Sequence, residues 1–491
     1  MQESYGVRKS VMGDWKMEKR KTEILIIGTG VAGLYCALNL PKEKQVLLVT
    51  KEEAEKSDSF LAQGGICVLR DENDYQFFYE DTMRAGHYEN KPESVEIMIR
   101  SSGKVIEDLV SFGVNFEKQG EDFVYTKEGA HSRPRILFHQ DETGKEITSH
   151  LLETARQREN ITIVENFTMV DLICEKENCY GIVGKNIHGE YVEILSDYTV
   201  LATGGIGGLF EHSTNFPHLT GDALALSLKH KIQVKHMDYI QIHPTTLYTK
   251  KKGREFLISE SVRGEGAILL NWKGQRFVNE LLPRDVVTKA IFEEMEKEGK
   301  PHMWLSLAKI PEEEIRSHFP NIYQHCLEEG YDITKESIPI VPSQHYFMGG
   351  IQVDRDSKTS MERLYAIGET SCNGVHGKNR LASNSLLESL VFAKRAAQHI
   401  IAHYQEGMYQ SKQVIDTKQY EGYEERYKEA VLEAIASEKR NQTLQNKSYK
   451  IASETCRKNR MIRDTKKNNR RNSYGKKIET TIIEIEKERK L

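Results

Sequence analysis

Six short stretches carry side chains able to do chemistry on an anionic substrate. TKEGAHSRPR (126–135) sets one carboxylate, Glu128, beside a Gly-Ala pair and crowds it with a histidine and two arginines. QIHPTTL (241–247) brings His243, which the following proline keeps extended rather than helical. ISESVRGEGA (258–267) offers Ser259 and Glu260, and LPRDVVTKAIFEEM (282–295) places Arg284 just ahead of a helix that Asp285 can cap. HYFMGG (345–350) supplies His345, and NRLASNSLLES (379–389) supplies Arg380. Taken singly, a histidine or arginine is usually a structural hydrogen bonder or a solvated charge. Together these cations sit in glycine-bordered turns instead of on amphipathic helix faces, which suits them to holding an anion. Arginine's planar fork grips a carboxylate with two parallel bonds. Glu260 reads equally well as a ligand contact and as the structural partner of Arg263 three residues on. The plain alternative for Glu128 is a surface acid paired with Lys127 or Arg133.

Side chains so far apart in sequence need a scaffold, and the amino-terminal region describes one. Glu23 to Ile27 is a short apolar run fit for a buried parallel strand. It leads into Gly28-x-Gly30-x-x-Gly33, a helical pattern through Leu40, and a second strand, QVLLVT (45–50). The first glycine permits a tight turn, the second lets backbone approach a pyrophosphate, and the third lets helix and strand pack closely. The helix amino terminus adds free N–H groups and a positive dipole end. GxGxxG alone is weak; strand, glycines, helix and strand in order within about 30 residues supply the required context. The acid expected on a ribose at the end of the second strand is missing, and Thr50-Lys51 stand there instead. DSFLAQGG (58–65) follows, a small polar segment with a glycine pair, suited to backbone lying against a flat ring system.

Composition narrows the class. At 491 residues the chain exceeds the size at which one core keeps growing, so two or three domains are expected. A hydrophobic fraction of 38% suits a globular interior, and no apolar run approaches the roughly 20 residues of a bilayer span. The first 20 residues are charged and lack the apolar middle of a signal peptide, so the cytoplasm is the expected location. Seven cysteines include no CxxC pair, which favours free thiols over disulfides or a zinc site. A net charge of −4 predicts no general attraction to nucleic acid.

In order and spacing, AQGG, QIHPT, RGEGA, PRD, HYFMGG and HGKNRLASNSLLE resemble the flavoprotein family of succinate dehydrogenase and fumarate reductase, and within it the L-aspartate oxidases. The resemblance runs from about residue 22 to 400, about four-fifths of the chain. It implies an α/β fold: a Rossmann-type FAD-binding domain from 20–232 and 346–405, an inserted α+β capping domain at 233–345, and a C-terminal helical segment at 406–491. FAD would lie with its pyrophosphate on Gly28, Thr29, Gly30, Val31, Ala32 and Gly33, and its adenosine near Lys51. Asp58, Ser59, Phe60, Leu61, Ala62, Gln63, Gly64 and Gly65 would line the flavin, joined by Asp222, Glu369, Ser385 and Leu386. Membrane-bound relatives attach FAD covalently through a histidine five residues before the glutamine of AQGG. Asp58 holds that position here, so noncovalent FAD is expected.

The same resemblance assigns substrate carboxylates to Arg380, His243 and His345, with Ser259 and Glu260 completing the hydrogen bonding. It gives Arg284 the proton relay; the bland alternative is that Arg284 only stabilises developing charge. Glu128 would face the substrate ammonium, attracting aspartate and disfavouring succinate, while His131 to Arg135 shape the loop without direct contact. The implied reaction is L-aspartate to iminosuccinate, with oxygen (giving hydrogen peroxide) or fumarate as acceptor. This is the first step of the route through quinolinate to NAD, with handover to quinolinate synthase. Two alternatives stand: a soluble fumarate reductase or succinate oxidase, and a catalytically impaired flavoprotein serving as a binding module. After about residue 405 the resemblance fades. YEGYEERYKEAVLEAIASEKR (420–440) is expected to be helical, whereas 439–477 holds fourteen Lys/Arg against two acids. Such a run reads as a solvated basic tail or as a reading frame that slips near Lys447.

Overall fold

Ile24, Leu25 and Ile26 are wholly buried, as a strand covered on both faces must be. They belong to β1 (Arg20–Ile27), after which Gly28, at φ +113°, turns the chain into α1 (Val31–Leu38). The helix stops short of Leu40: Asn39 bonds back to the Tyr35 carbonyl, and Pro41 disfavours helix at the residue before it. The computed structural model describes residues 20–251, 253–407 and 416–440. Next come β2 (Val46–Val49), α2 (Glu72–Ala85), α3 (Thr143–Gln157), β3 (Ile161–Val164), β4 (Thr168–Glu175), β5 (Asn178–Lys185) and β6 (Tyr191–Leu201). The strand order is β3-β2-β1-β6-β5-β4. The first four strands run parallel; β5 and β4 are added antiparallel.

A second sheet is built from residues 240–347. Its strands are β7 (Ile240–Leu247), β8 (Phe256–Leu257), β9 (Ile268–Leu270), β10 (Met303–Ser306) and β11 (Ile338–Phe347), ordered β8-β7-β11-β10-β9 and antiparallel throughout. A short helix, α4 (Glu260–Gly264), follows β8, and a longer one, α5 (Arg284–Glu298), precedes β10. Val287 and Ile291 of α5 share a core with Leu269, Leu305, Ile338 and Ile340. The chain then re-enters the first sheet as β12 (Leu364–Ala366), parallel to the end of β6, and closes it with α6 (Asn384–Ala402). α6 buries Leu387, Leu390 and Phe392 in the core that holds Leu34, Leu48 and Leu151.

Two expectations shift. Asp285 does not cap α5: the helix starts at Arg284 with Pro283 at its N-cap and no side-chain cap bond. Asp285 sits in the first turn, where an acid suits the helix dipole, and reaches His87 at 3.1 Å. The carboxy-terminal region is helical from residue 423, but the basic run beyond residue 440 and the frame change near Lys447 lie outside the described residues. Among the described residues no helix is long and apolar enough to cross a membrane.

Candidate active site

Backbone builds one end of a single continuous cavity. Gly30 N-caps α1 without a side-chain bond of its own; the first N–H groups of the helix have no intrahelical partner, and that of Val31 donates to Ser59 Oγ at 3.1 Å. A Cβ on Gly28 would overlap the Ala202 carbonyl oxygen, and one on Gly33 would overlap the Gly28 carbonyl. A Cβ on Gly30 would stand 3.1 Å from Ser59 Oγ, a tight contact with a side chain and not with backbone. Gly28, Thr29, Gly30, Val31, Ala32, Lys51, Asp58, Ser59, Leu61, Ala62, Gln63, Gly64, Gly65, Asp222, Glu369, Ser385 and Leu386 all line the cavity. Two expected residues do not. Gly33 faces the strand it packs against, and Phe60 turns from the cavity to pack on the apolar core. Lys51 Nζ donates to Asp222 Oδ2 at 2.8 Å and to the His218 carbonyl at 3.1 Å. Asp222 thus pairs with Lys51, just past the end of β2, while lining the same cavity as the other expected residues.

Charged side chains build the other end. Gln241 and His243 alternate on one face of β7, His345 comes from β11, Arg284 from the first residue of α5, and Glu260 from the first of α4. Glu128, His243, Ser259, Glu260, Arg284, His345 and Arg380 all line the same cavity. Glu260 Oε2 accepts from Arg284 Nε at 2.5 Å and lies 3.5 Å from Arg263 Nη2, so the pairing with Arg263 is present and Arg284 is the nearer partner. Arg284 Nη1 donates to Gln241 Oε1 at 2.9 Å, and Gln241 Nε2 donates to Asn379 Oδ1 and the Arg380 carbonyl, each at 2.8 Å. Ser259 accepts from the Ser261 N–H and caps α4. The His243 and His345 rings meet edge to face, 5.1 Å apart.

Electrostatics divides the two acids. Burial raises Glu260, but Arg284 and Arg263 outweigh it and hold its carboxyl below the usual range. Burial and then repulsion from Glu260 raise Glu128. Such a divergence assigns an ionised partner to the arginine and leaves a second, higher-energy anion for something else. Burial, with Arg284 beside them, pushes His243 and His345 well below the ordinary imidazole value, so both are neutral donors or acceptors at pH 7. Burial, then Arg284, lowers Arg380 to about 10. His243 Nε2, Arg380 Nε, Asp58 Oδ2 and Gln63 Oε1 are buried with no protein partner. Orphans of this kind, gathered on one cavity, mark a place where ligands complete the bonding. Glu128 is only 4% exposed and bonds to neither Lys127 nor Arg133: Ser383 Oγ donates to Oε2 at 2.5 Å and Ser261 Oγ to Oε1 at 3.1 Å.

Sequence reasoning missed Ser261, Ser383, the amide of Gln241, and Arg254, a cavity-lining cation whose charge partly offsets the burial that raises Asp58. Gln241 had a signal, since it lies two residues before His243 on a strand and so shares its face. Ser261, Ser383 and Arg254 had none beyond proximity to the motifs.

A glycine-turned helix end that shares one cavity with a buried set of arginines, histidines and acids is the layout of a dinucleotide-dependent oxidoreductase. The comparisons with known proteins narrow this. The family model described as FAD binding domain matches residues 23–386. An L-aspartate oxidase of Clostridium perfringens is 51% identical over 383 residues, covering 78% of this chain and 87% of that protein. Another, from Clostridium acetobutylicum, is 50% identical over 382 residues, covering 77% and 88%. Among solved structures, the quinol fumarate reductase of E. coli aligns with a TM-score of 0.75 at 28% identity, covering 84% of this chain and 74% of that one. The chain belongs to the L-aspartate oxidase family, within the FAD-binding flavoproteins of the succinate dehydrogenase and fumarate reductase type.

Proposed function

We propose that this protein oxidises L-aspartate to iminosuccinate with FAD, and that the cavity's two ends divide the work. FAD fits the glycine-turned end: Gly28 to Ala32 line the cavity at the start of α1, a Cβ at Gly28 or Gly33 would collide with backbone, and Asp58 Oδ2 and Gln63 Oε1 lack protein partners there. When bound it accepts the hydride that leaves the substrate carbon. Asp58 stands where covalent relatives carry histidine; a carboxylate is not a nucleophile of that kind, so acid precipitation should release the flavin into the supernatant. Arg380, His243 and His345 hold the two carboxylates, Arg380 through its unpartnered Nε and His243 through its unpartnered Nε2. Arg284 is oriented by Glu260 and Gln241; it would relay a proton from the amino group only by passing one of its own to Glu260 as it takes another up, or would act as a fixed cation that stabilises the developing charge. Burial of these side chains strengthens each ionic contact with the substrate.

The observation that carries the assignment to aspartate is Glu128, a buried carboxylate within a cation-lined cavity. Succinate and fumarate would meet repulsion there; an α-ammonium would find its counter-charge. Replacing Glu128 with glutamine should lower kcat/KM for aspartate by roughly 100-fold and that for fumarate reduction far less. Equal losses would overturn the amine-reading role. Oxygen, giving hydrogen peroxide, or fumarate accepts the electrons in this reading. The labile imine product favours direct handover to quinolinate synthase in the cytoplasm.

A further inference from the structure

We propose that Ser383, and behind it His131 on Arg135, are positioning residues that fix the Glu128 carboxylate and thereby set discrimination between amino-bearing and unsubstituted dicarboxylates. This rests on the reading of Glu128 given above. Ser383 is the hub. Its hydroxyl donates to Glu128 Oε2 and accepts from the Gly65 N–H at 3.2 Å, while its carbonyl accepts from the Cys67 N–H at 3.0 Å. The carboxylate is thus tied to the segment that follows AQGG, and a Cβ on Gly64 would come within 2.8 Å of Glu128 Oε1. Ser383 has φ +61°, and Ala130, two residues past Glu128, has φ +65°. Residues with a Cβ keep that conformation only where surroundings impose it.

The imposing structure is on the page. His131 Nδ1 lies 3.0 Å from Arg135 Nη1. Arginine only donates, so Nδ1 accepts and the proton resides on Nε2, which donates to the Ala382 carbonyl at 3.1 Å. Arg135 has no exposed surface; it forks onto Asp74 at 3.1 and 3.0 Å and reaches Asp81 at 2.8 Å. Asp81 also takes the Ser132 N–H and hydroxyl, and Arg84 holds the Ala130 carbonyl. The loop after Glu128 is therefore bolted to α2 on one side and to Ala382 on the other. His131, Arg135, Asp74 and Asp81 do not line the cavity. A buried ion triad is a poor device for stability, and its best-attested use is to fix one register among several.

The test compares E128Q, S383A, H131L and H131Q, each as purified holoenzyme, for kcat/KM in aspartate oxidation and in fumarate reduction from about pH 5.5 to about 9. Glu260, Arg284, Arg263, Arg380 and the Cys67 thiol face Glu128 and stay in every variant. S383A and H131L should each lower the aspartate value by roughly 10- to 100-fold, at least several-fold more than the fumarate value. In S383A the acid limb of the aspartate profile should move to higher pH, because an ionised carboxylate has lost a donor. H131Q, whose Nε2–H can reach the Ala382 carbonyl, should recover most of what H131L loses. Equal losses for both substrates, an unmoved acid limb, or H131Q no better than H131L would overturn the proposal. Should H131L lose its flavin, S383A and H131Q decide. A non-selective E128Q would sink the reading of Glu128 itself; a selective E128Q with non-selective S383A and H131L would sink only this inference.

Discussion

The two ends of the cavity solve recognition with different materials. The dinucleotide end is chiefly backbone: a glycine turn and a helix terminus within residues 20–65, packed closely against Ala202. The substrate end is side chain: acids, arginines and histidines drawn from residues 128 to 380 and buried at a cost in desolvation. Backbone geometry tolerates almost any neighbour but no added atom. Buried charges tolerate a change of size better than a change of partner. Breaking the first should therefore abolish binding outright, whereas breaking the second should cost graded amounts that depend on the substrate.

The largest effect is expected at Gly28. Alanine there would carry a Cβ at φ +113° into the Ala202 carbonyl. Strain plus overlap should cost on the order of 3–5 kcal/mol, and the protein should purify without flavin absorbance at a lower unfolding temperature. Gly30→Ala sharpens the contrast. Its Cβ at 3.1 Å from Ser59 Oγ meets no backbone and its φ of −68° is ordinary. That variant should fold near normally and lose FAD affinity alone, read by titration of the apoprotein. Equal unfolding temperatures for Gly28→Ala and the parent would refute the idea that this end is rigid backbone.

The same distinction governs what the sequence revealed. β1, the glycine turn and α1 were legible because each signal lies within a few residues of the feature it specifies. The clamp residues were found only as motifs whose order resembles a family; nothing local says that Glu260 and Arg284 meet at 2.5 Å, since the meeting depends on how α4 and α5 pack against β7. Lys51 was read as an oddity because its partner, Asp222, lies far along the chain. Asp285 was misread as a cap because capping depends on where the helix begins, a boundary set here by Pro283. The strut from Asp74 and Asp81 to Ala382 left no trace in any single stretch.

At the substrate end, Arg380→Ala should follow in size. It removes a cation, 4% exposed, that packs 4.6 Å from the Tyr346 ring and bonds Ser385 at 3.2 Å. Losing one side of a buried carboxylate contact costs about 3–5 kcal/mol, or roughly two to four orders of magnitude in kcat/KM. Aspartate and fumarate both carry carboxylates, so both should lose alike. That is the opposite of the pattern expected for Glu128→Gln. A selective loss in Arg380→Ala would mean that the anion clamp and the amine reader are not separate devices.

The smallest effect tests whether buried charge near this end is costly even where it touches no substrate. Glu388 of α6 accepts from Asn373 and, at 3.3 Å, from Ser389, and burial pushes it up to about 7. Its folded value lies above the ordinary carboxylate value, so the folded state binds the proton more tightly. Its contribution to stability is thus present at low pH and is lost as pH rises from about 4.5 to about 7. His376, 4.0 Å from Glu388 and held well below its ordinary value by burial and Arg380, works the other way: stability lost below about 6.5 returns as pH rises. Glu388→Gln keeps an acceptor for Asn373 and deletes only the first component. The variant should gain on the parent by about 2–4 kcal/mol at pH 8 and by much less near pH 5, measured by denaturant unfolding at both pH values. A gain independent of pH would mean that packing, not the buried anion, limits stability here. The cost of desolvated charge would then be confined to the residues that hold the substrate.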